Sequence, residues 1–156
     1  MRIRPVLIRL IVVLAALAIG VALAQNDWPV YGRDPGAQRY SPLTQINAGN
    51  VTQLVEAWRY ETRPASETKG KAKESKSTPL MVNNVLYFAT PYQSLVAVEP
   101  ETGKKIWSFD HQHAPRTSRG IAYWPGTRNA PPTIFFGTED GFLIGVNART
   151  GKLVPG

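Results

Sequence analysis

Short alternations of apolar and polar residues, separated by turn residues, run through the chain from residue 79 onward. Two apolar runs and a Thr-Gly-Lys turn form one unit: Leu86-Tyr87-Phe88, Leu95-Val96-Ala97-Val98 and Thr102-Gly103-Lys104. The same three features return 48 positions later, without a gap, as Ile134-Phe135-Phe136, Leu143-Ile144-Gly145-Val146 and Thr150-Gly151-Lys152. Such runs predict short antiparallel strands joined by hairpins. A repeat of this length built from short strands predicts the blades of a β-propeller.

The residues before the repeat form a lead-in of a different kind. Residues 47–54 combine capping residues with a short apolar stretch, which predicts one helical turn. Residues 55–61 predict a strand that carries Trp58 and Tyr60 on one face. Trp58 stands 49 positions before Trp107, as though it ended a preceding unit. Between the two copies, residues 120–124 predict a further strand before the turn Pro125-Gly126.

The number of repeats predicts a piece of a larger fold. A closed propeller needs about 4 to 8 blades, whereas the 156 residues hold a lead-in, one complete copy and one copy that breaks off. The expected fold class is therefore all-β, and residues 25–156 are expected to form the N-terminal part of a propeller, with about two blades.

The first 24 residues have the pattern of a secretory signal. Arg2, Arg4 and Arg9 precede a 15-residue apolar run that ends in Ala22-Leu23-Ala24, the small-residue pattern accepted by signal peptidase. The alternative is an uncleaved anchor, although the apolar run is shorter than the ~20 residues needed to span a bilayer. Both alternatives predict export to the periplasm. Whether the protein associates with the inner membrane is left open.

Composition and charge exclude several other functions. The chain has no cysteine, so it has neither a disulfide framework nor a cysteine-based metal site. Removal of the three leader arginines lowers the formal net charge from +7 to +4. Four lysines cluster in one loop without interleaved aromatic residues, and nucleic-acid binding is therefore not expected; they are Lys69, Lys71, Lys73 and Lys76.

The turn motif predicts how neighbouring blades are joined. Residues 97–107 follow the pattern A-x-[DE]-x-x-T-G-K-x-x-W, in which an acidic or amide residue and Thr stabilise a tight turn and Trp107 inserts between blades. The second copy has Asn147 in the acidic position and Pro155 where Trp would fall. It is either degenerate or at a special junction.

This pattern resembles that of the quinoprotein dehydrogenases, and two further passages resemble that family as well. Their residues are Trp28-x-x-Tyr31-Gly32-x-Asp34 with Arg39-Tyr40-Ser41-Pro42-Leu43 and Asn50-Val51-x-x-Leu54-x-x-Ala57-Trp58, then Ser77-Thr78-Pro79-Leu80 and Ser118-Arg119-Gly120-Ile121-Ala122-Tyr123. The resemblance implies an eight-bladed propeller that holds pyrroloquinoline quinone (PQQ) and a calcium ion on its axis. Within the family, the sequence is most similar to the glucose dehydrogenase branch.

The resemblance also implies an activity. The full protein would oxidise a sugar, such as glucose, or an alcohol, and would pass electrons to ubiquinone or a cytochrome. The calcium ligands and the catalytic base, an Asp, are expected beyond residue 156, so no catalytic or metal-binding residue is expected in this part. The alternative is a non-enzymatic periplasmic propeller scaffold with the same turn motif, a class that often carries a lipobox cysteine.

The resemblance assigns one cofactor contact and leaves a second open. In the family, the arginine at the position of Arg119 contacts the quinone, and a guanidinium can meet the carboxylates of the cofactor bidentately. Lys76 stands where the family often has Glu, which leaves a cofactor contact there open. Thr117-Ser118 replaces the adjacent cysteines of many alcohol-oxidising members, which disfavours a methanol or ethanol dehydrogenase. His111 and His113 are expected to belong to a polar loop.

The leader generates the first testable prediction, that the mature protein begins at Gln25. The intact mass of protein recovered from the periplasm should lack residues 1–24. A mass that still includes these residues would make the leader an anchor.

Overall fold

A computed structural model describes residues 27–67, 69–110, 120–138 and 140–155 of the chain. The predicted signal peptide, both histidines and Arg119 lie outside the described residues. Within the described ranges, no helix has the length and apolar character needed to cross a bilayer.

Two antiparallel sheets make up the described structure. In the first, four strands lie side by side in chain order: β1 Leu80–Val82, β2 Val85–Ala89, β3 Ser94–Val98 and β4 Lys105–Asp110. In the second, three strands do the same: β5 Ala122–Trp124, β6 Thr133–Gly137 and β7 Leu143–Asn147. The prediction of two blade-like units is confirmed. A 3₁₀ turn at Val51–Gln53 confirms the helical turn predicted in the lead-in.

The strand register repeats with the predicted offset of 48 residues. Leu86 pairs with Val98 in the first sheet, and Ile134 pairs with Val146 in the second. The first strands break this offset, because β1 and β2 are joined by two residues whereas residues 125–132 join β5 to β6. The repeat is therefore regular in its two central strands and variable at its first strand.

The second sheet has the beginning of a fourth strand. Leu153 forms an isolated antiparallel bridge with Val146, and the amide of Val154 donates a 2.8 Å hydrogen bond to the carbonyl of Gly145. The chain thus pairs with β7 as β4 pairs with β3. Pro155 replaces the tryptophan of the motif but leaves this pairing intact.

The core lies between the two sheets. Side chains of β2 and β3, including Tyr87 and Leu95, pack against side chains of β6 and β7, including Ile134 and Phe136. Alternation along each strand turns the other side chains to the opposite face. On that face Phe88 meets the lead-in residue Tyr60, with ring centroids 5.3 Å apart. Each face of the first sheet therefore has a partner.

Each motif tryptophan docks on the turn of the following unit, which confirms its predicted structural role. Trp107 Nε1 donates to the carbonyl of Ala148 at 3.0 Å, and its ring lies so close to Gly151 that an added Cβ would be 2.8 Å from ring carbons. Trp58 Nε1 donates to the carbonyl of Pro100 at 2.9 Å, and its ring covers Gly103 in the same way. The acceptors and the glycines are each 48 positions apart, so one docking geometry occurs twice.

Backbone and side-chain hydrogen bonds hold these turns. Gly103, at φ +69°, donates its amide to the Glu99 carbonyl, while Thr102 Oγ1 donates to Glu99 Oε2 at 2.9 Å. In the second copy, Asn147 Oδ1 accepts from the amides of Arg149 and Thr150 at 2.9 and 3.2 Å. An amide therefore replaces the carboxylate without loss of the turn.

The prediction of a strand at residues 55–61 is wrong. A strand needs a hydrogen-bonded neighbour, and this segment forms no ladder with any described residue. The predicted alternation does occur, because Trp58 and Tyr60 are half-buried while Arg59 and Glu61 are exposed. The segment contacts the first sheet as β4 contacts the second, through a tryptophan on a Thr-Gly-Lys turn.

Docking predicts that Gly151→Ala destabilises the protein more than Gly141→Ala. Both glycines have positive φ, +68° and +90°, so both changes incur a backbone penalty of about 1 kcal/mol. At Gly151 the new methyl group meets a ring, whereas at Gly141 no described atom beyond the adjacent residues lies within 4 Å of the position of the new Cβ. Overpacking should add roughly 1–3 kcal/mol. Urea unfolding of the intact protein measures the difference, and equal losses of stability would contradict the docking geometry.

Burial of Tyr87 predicts a pH dependence of stability. Burial raises the pKa of Tyr87 from 10.0 to about 12, the Tyr123 hydroxyl adds to the increase, and Arg149 opposes it. Because the folded state holds this proton more tightly, its contribution to stability is complete below pH 10 and is lost as the pH rises towards 12. The urea midpoint should therefore fall less steeply above pH 10 for Tyr87→Phe than for the wild type. Parallel curves would contradict the assignment.

Candidate functional site

Because neighbouring strands are antiparallel, the strand ends and the turns of each sheet lie along two opposite margins, which we call edges. At one edge lie the start of β1, the turn between β2 and β3, and the end of β4; we call this the strand-start edge. The opposite edge carries the Thr-Gly-Lys turns. Lys76 precedes β1 at the strand-start edge, and Gly120, the neighbour of Arg119, precedes β5 at the equivalent edge of the second sheet. Chain connectivity thus places Lys76 and Gly120 at equivalent edges of their sheets.

Buried threonines shape the turns of the strand-start edge. Thr90 Oγ1 accepts hydrogen bonds from the amides of Tyr92 and Ser94, both at 3.2 Å. Its counterpart Thr138 accepts from the amide of Phe142 at 3.0 Å and donates to the Asp140 carboxylate. The edge is therefore ordered by short polar side chains in both sheets.

The basic loop before β1 is attached to this edge by Tyr92. The amide of Lys73 donates to the Tyr92 hydroxyl at 3.1 Å, and the Lys73 ammonium lies 4.8 Å from the centre of the Tyr92 ring. The same ammonium forms a 2.7 Å ion pair with Glu67. Lys76, three residues further, is exposed, and its ammonium forms no hydrogen bond or ion pair with the described part of the chain. Lys76 is thus an exposed cation close to the start of β1.

A shallow cavity of about 460 Å³ lies beside the same segment. Thr78 and Pro79 line it together with Trp28, Tyr31 and Arg39. Arg39 Nη2 donates to the Tyr31 hydroxyl at 2.9 Å, and the guanidinium lies 4.8 Å from the centre of the same ring. Sequence reasoning treated Arg39 only as part of a signature. An arginine inside an aromatic-rich signature was the available signal for a possible binding group.

A carboxylate lies where β4 ends, on the strand-start edge. Asp110, the last residue of β4, accepts a hydrogen bond from Ser94 Oγ at 2.6 Å. Partial burial raises the pKa of Tyr60, and the nearby Asp110 carboxylate raises it further. Tyr60 therefore stays neutral at physiological pH, and Asp110 places a carboxylate at the end of β4.

The described donors fit the carboxylates of the cofactor that the resemblance implies. PQQ is a planar tricarboxylate, and the start of β1 offers the ammonium of Lys76 and the hydroxyls of Ser77 and Thr78, with Arg39 across the cavity. Cations and hydroxyl donors are the groups that carboxylates bind. For calcium the described ranges provide no group of three or more His, Asp or Glu side chains able to hold an ion.

Comparison with known proteins identifies a family. Residues 28–156 match the β-propeller domain of the PQQ-dependent glucose, ethanol and alcohol dehydrogenases. The chain is 41% identical over 138 residues to the dehydrogenase subunit of alcohol dehydrogenase (quinone) from Gluconobacter oxydans, covering 83% of this chain and 16% of that protein. It is 36% identical over 149 residues to quinoprotein glucose dehydrogenase from Escherichia coli, covering 84% and 18%.

A solved structure shows the same fold. The crystal structure of quinohemoprotein alcohol dehydrogenase from Comamonas testosteroni superimposes with a TM-score of 0.67 at 30% identity, covering 88% of this chain and 22% of that one. The predicted propeller fold is confirmed. The chain spans about a fifth of the length of these relatives.

Attachment by Tyr92 predicts that Tyr92→Phe loosens the basic loop. The change removes the hydroxyl that accepts from the Lys73 amide, so trypsin should cleave after Lys69, Lys71 and Lys73 faster than in the wild type. The control is Tyr40→Phe, since the Tyr40 hydroxyl forms no hydrogen bond with the described residues. Equal cleavage rates in the two variants would show that Tyr92 does not restrain the loop.

Proposed function

The chain belongs to the family of PQQ-dependent glucose, ethanol and alcohol dehydrogenase β-propellers, and we propose that it forms two blades of an enzyme that oxidises a sugar or an alcohol. The observation that carries this proposal is the match over residues 28–156, which includes both sheets and the lead-in. The proposed substrate is a glucose-like sugar or an alcohol, because the chain is similar both to a quinoprotein glucose dehydrogenase and to an alcohol dehydrogenase (quinone).

The scaffold alternative has less support. A non-enzymatic propeller shares the turn motif but does not need the segments before β1 and β5. The family match includes both segments, and the strand-start edge carries an exposed lysine and hydroxyl donors beside β1. These features favour the enzyme.

The proposed role of this chain is to bind and orient the cofactor. When bound, PQQ supplies the two-electron acceptor for oxidation of a CH–OH group. Arg119 is proposed to bind its carboxylates through a charge-assisted, bidentate contact. Lys76 is the second candidate contact, because its ammonium is exposed at the equivalent edge of the neighbouring sheet.

Other parts of the activity are proposed to reside in a longer protein. A calcium ion, its ligands and a catalytic Asp are proposed beyond residue 156. The proposed electron acceptor is ubiquinone or a cytochrome, and the proposed location is the periplasm, on the basis of the leader at residues 1–24.

The proposal predicts that Arg119→Ala weakens PQQ binding by about tenfold or more, because charge-assisted hydrogen bonds contribute roughly 1.5–3 kcal/mol each. Arg119→Lys should recover only part of the affinity, since an ammonium does not reproduce the bidentate geometry. The measurement is titration of the intact apoprotein with PQQ in the presence of calcium, following dye-linked glucose oxidation.

Two further variants complete this experiment. Lys76→Ala tests the second contact, and Arg128→Ala is the matched control, because Arg128 is exposed in the loop between β5 and β6, at the opposite edge. Half-saturation unchanged in Arg119→Ala would remove Arg119 from the site. Wild-type protein that gains no activity with PQQ would contradict the enzymatic proposal itself.

A further inference from the structure

A second cavity lies between the two sheets, on the side of the Thr-Gly-Lys turns. Its volume is about 480 Å³, within the range of small-molecule sites. The rings of Tyr87, Trp107 and Tyr123 line it, together with Pro125 and Pro132. The walls of the cavity are therefore mainly aromatic side chains and proline rings. Both sheets that form the cavity belong to this chain.

One carbonyl fixes the inner wall of this cavity. The oxygen of Ala148 accepts from Trp107 Nε1 at 3.0 Å and from the Tyr87 hydroxyl at 3.2 Å. The two rings lie 5.9 Å apart, and Tyr87 is buried. Since their polar atoms are already bonded, these residues offer aromatic surface to a ligand.

The groups able to bind a polar ligand are Tyr123 and Arg149. Arg149 is exposed, and its guanidinium forms no ion pair with a described carboxylate. The half-buried Tyr123 has a raised pKa, chiefly because of burial, so its hydroxyl stays protonated and can donate. Neither side chain makes a hydrogen bond within the described ranges, unlike Tyr87 and Trp107.

The rim also contains a negative charge that limits the ligand. Asp27 accepts a 3.0 Å hydrogen bond from the amide of Asn83, which lines the cavity, and its charge acts on Tyr123. One guanidinium faced by one carboxylate does not favour a ligand with several negative charges. The donors Arg149 and Tyr123 at the rim can bind one carboxylate, and the aromatic walls of the cavity can pack against a flat ring attached to it.

We propose that this inter-sheet cavity binds a small aromatic monocarboxylate, with the carboxylate on Arg149 and Tyr123 and the ring against Trp107. The cavity lies at the edge opposite Lys76 and Gly120, so the proposal is independent of cofactor binding. A ligand held here would contact both sheets and would therefore also stabilise their packing.

The test uses benzoate as the probe and the intact protein, with saturation-transfer NMR as the readout. Wild-type protein should bind benzoate, and the neutral isostere benzamide should bind at least several-fold more weakly. Arg149→Gln should reduce benzoate affinity roughly tenfold, and Tyr123→Phe should reduce it several-fold. Arg128→Gln, which removes a charge from the loop between β5 and β6 without changing the cavity lining, should stay within about twofold of the wild type.

Each contrary result is distinguishable. No saturation transfer at about 10 mM benzoate, equal affinity for benzamide, or equal effects of Arg149→Gln and Arg128→Gln would overturn the proposal. Loss of benzoate binding in Arg119→Ala with retention in Arg149→Gln would also overturn it, because the probe would then occupy the cofactor site. Failure of PQQ to bind would leave the benzoate result unaffected.

Discussion

The contact between a tryptophan and the Thr-Gly-Lys turn of the next unit determines how the sheets are arranged. A half-buried indole N–H needs an acceptor, and the carbonyls of Pro100 and Ala148 provide one at equivalent places. The ring then occupies the space that a Cβ would need, so only glycine fits at positions 103 and 151. The positive φ angles of these two residues also favour glycine. Geometry and residue type therefore constrain each other.

Docking at one edge leaves the opposite edge available for function. The Thr-Gly-Lys turns are short and held by several hydrogen bonds. The strand-start edge instead receives the long segment that precedes β1, which includes the basic loop attached through Tyr92. Binding groups commonly lie on such connections because a rigid scaffold positions them. Lys76, one of the two proposed cofactor contacts, lies on this edge.

Much of the fold could be predicted because the repeat is local. Alternation and turn residues predicted β2, β3, β6 and β7, and the offset of 48 residues predicted their shared register. The strand at residues 55–61 was predicted wrongly because alternation reports which side chains are buried, not whether the backbone has a neighbour. The long connection between β5 and β6 could not be anticipated from the first copy, because the equivalent connection between β1 and β2 has only two residues.

The candidate site was less accessible to sequence reasoning. Arg119 and Lys76 came from resemblance, and no local pattern distinguishes a cofactor-binding arginine from a surface one. Two features depend on contacts between residues far apart in the chain. They are the cavity that Arg39 and Thr78 line together and the cavity that Trp107 and Tyr123 line together. Such contacts follow from tertiary packing and leave no signal in the spacing of residues.

In the proposed arrangement, the strand-start edge binds PQQ while the Thr-Gly-Lys edge holds the two sheets together. Hydrogen–deuterium exchange of the intact protein, with and without PQQ in the presence of calcium, tests both halves at once. PQQ should add protection in peptides that contain residues 76–80 and 119–123, and should leave exchange at residues 102–104 and 150–152 unchanged. Protection confined to the Thr-Gly-Lys turns, or no change at either edge, would contradict it.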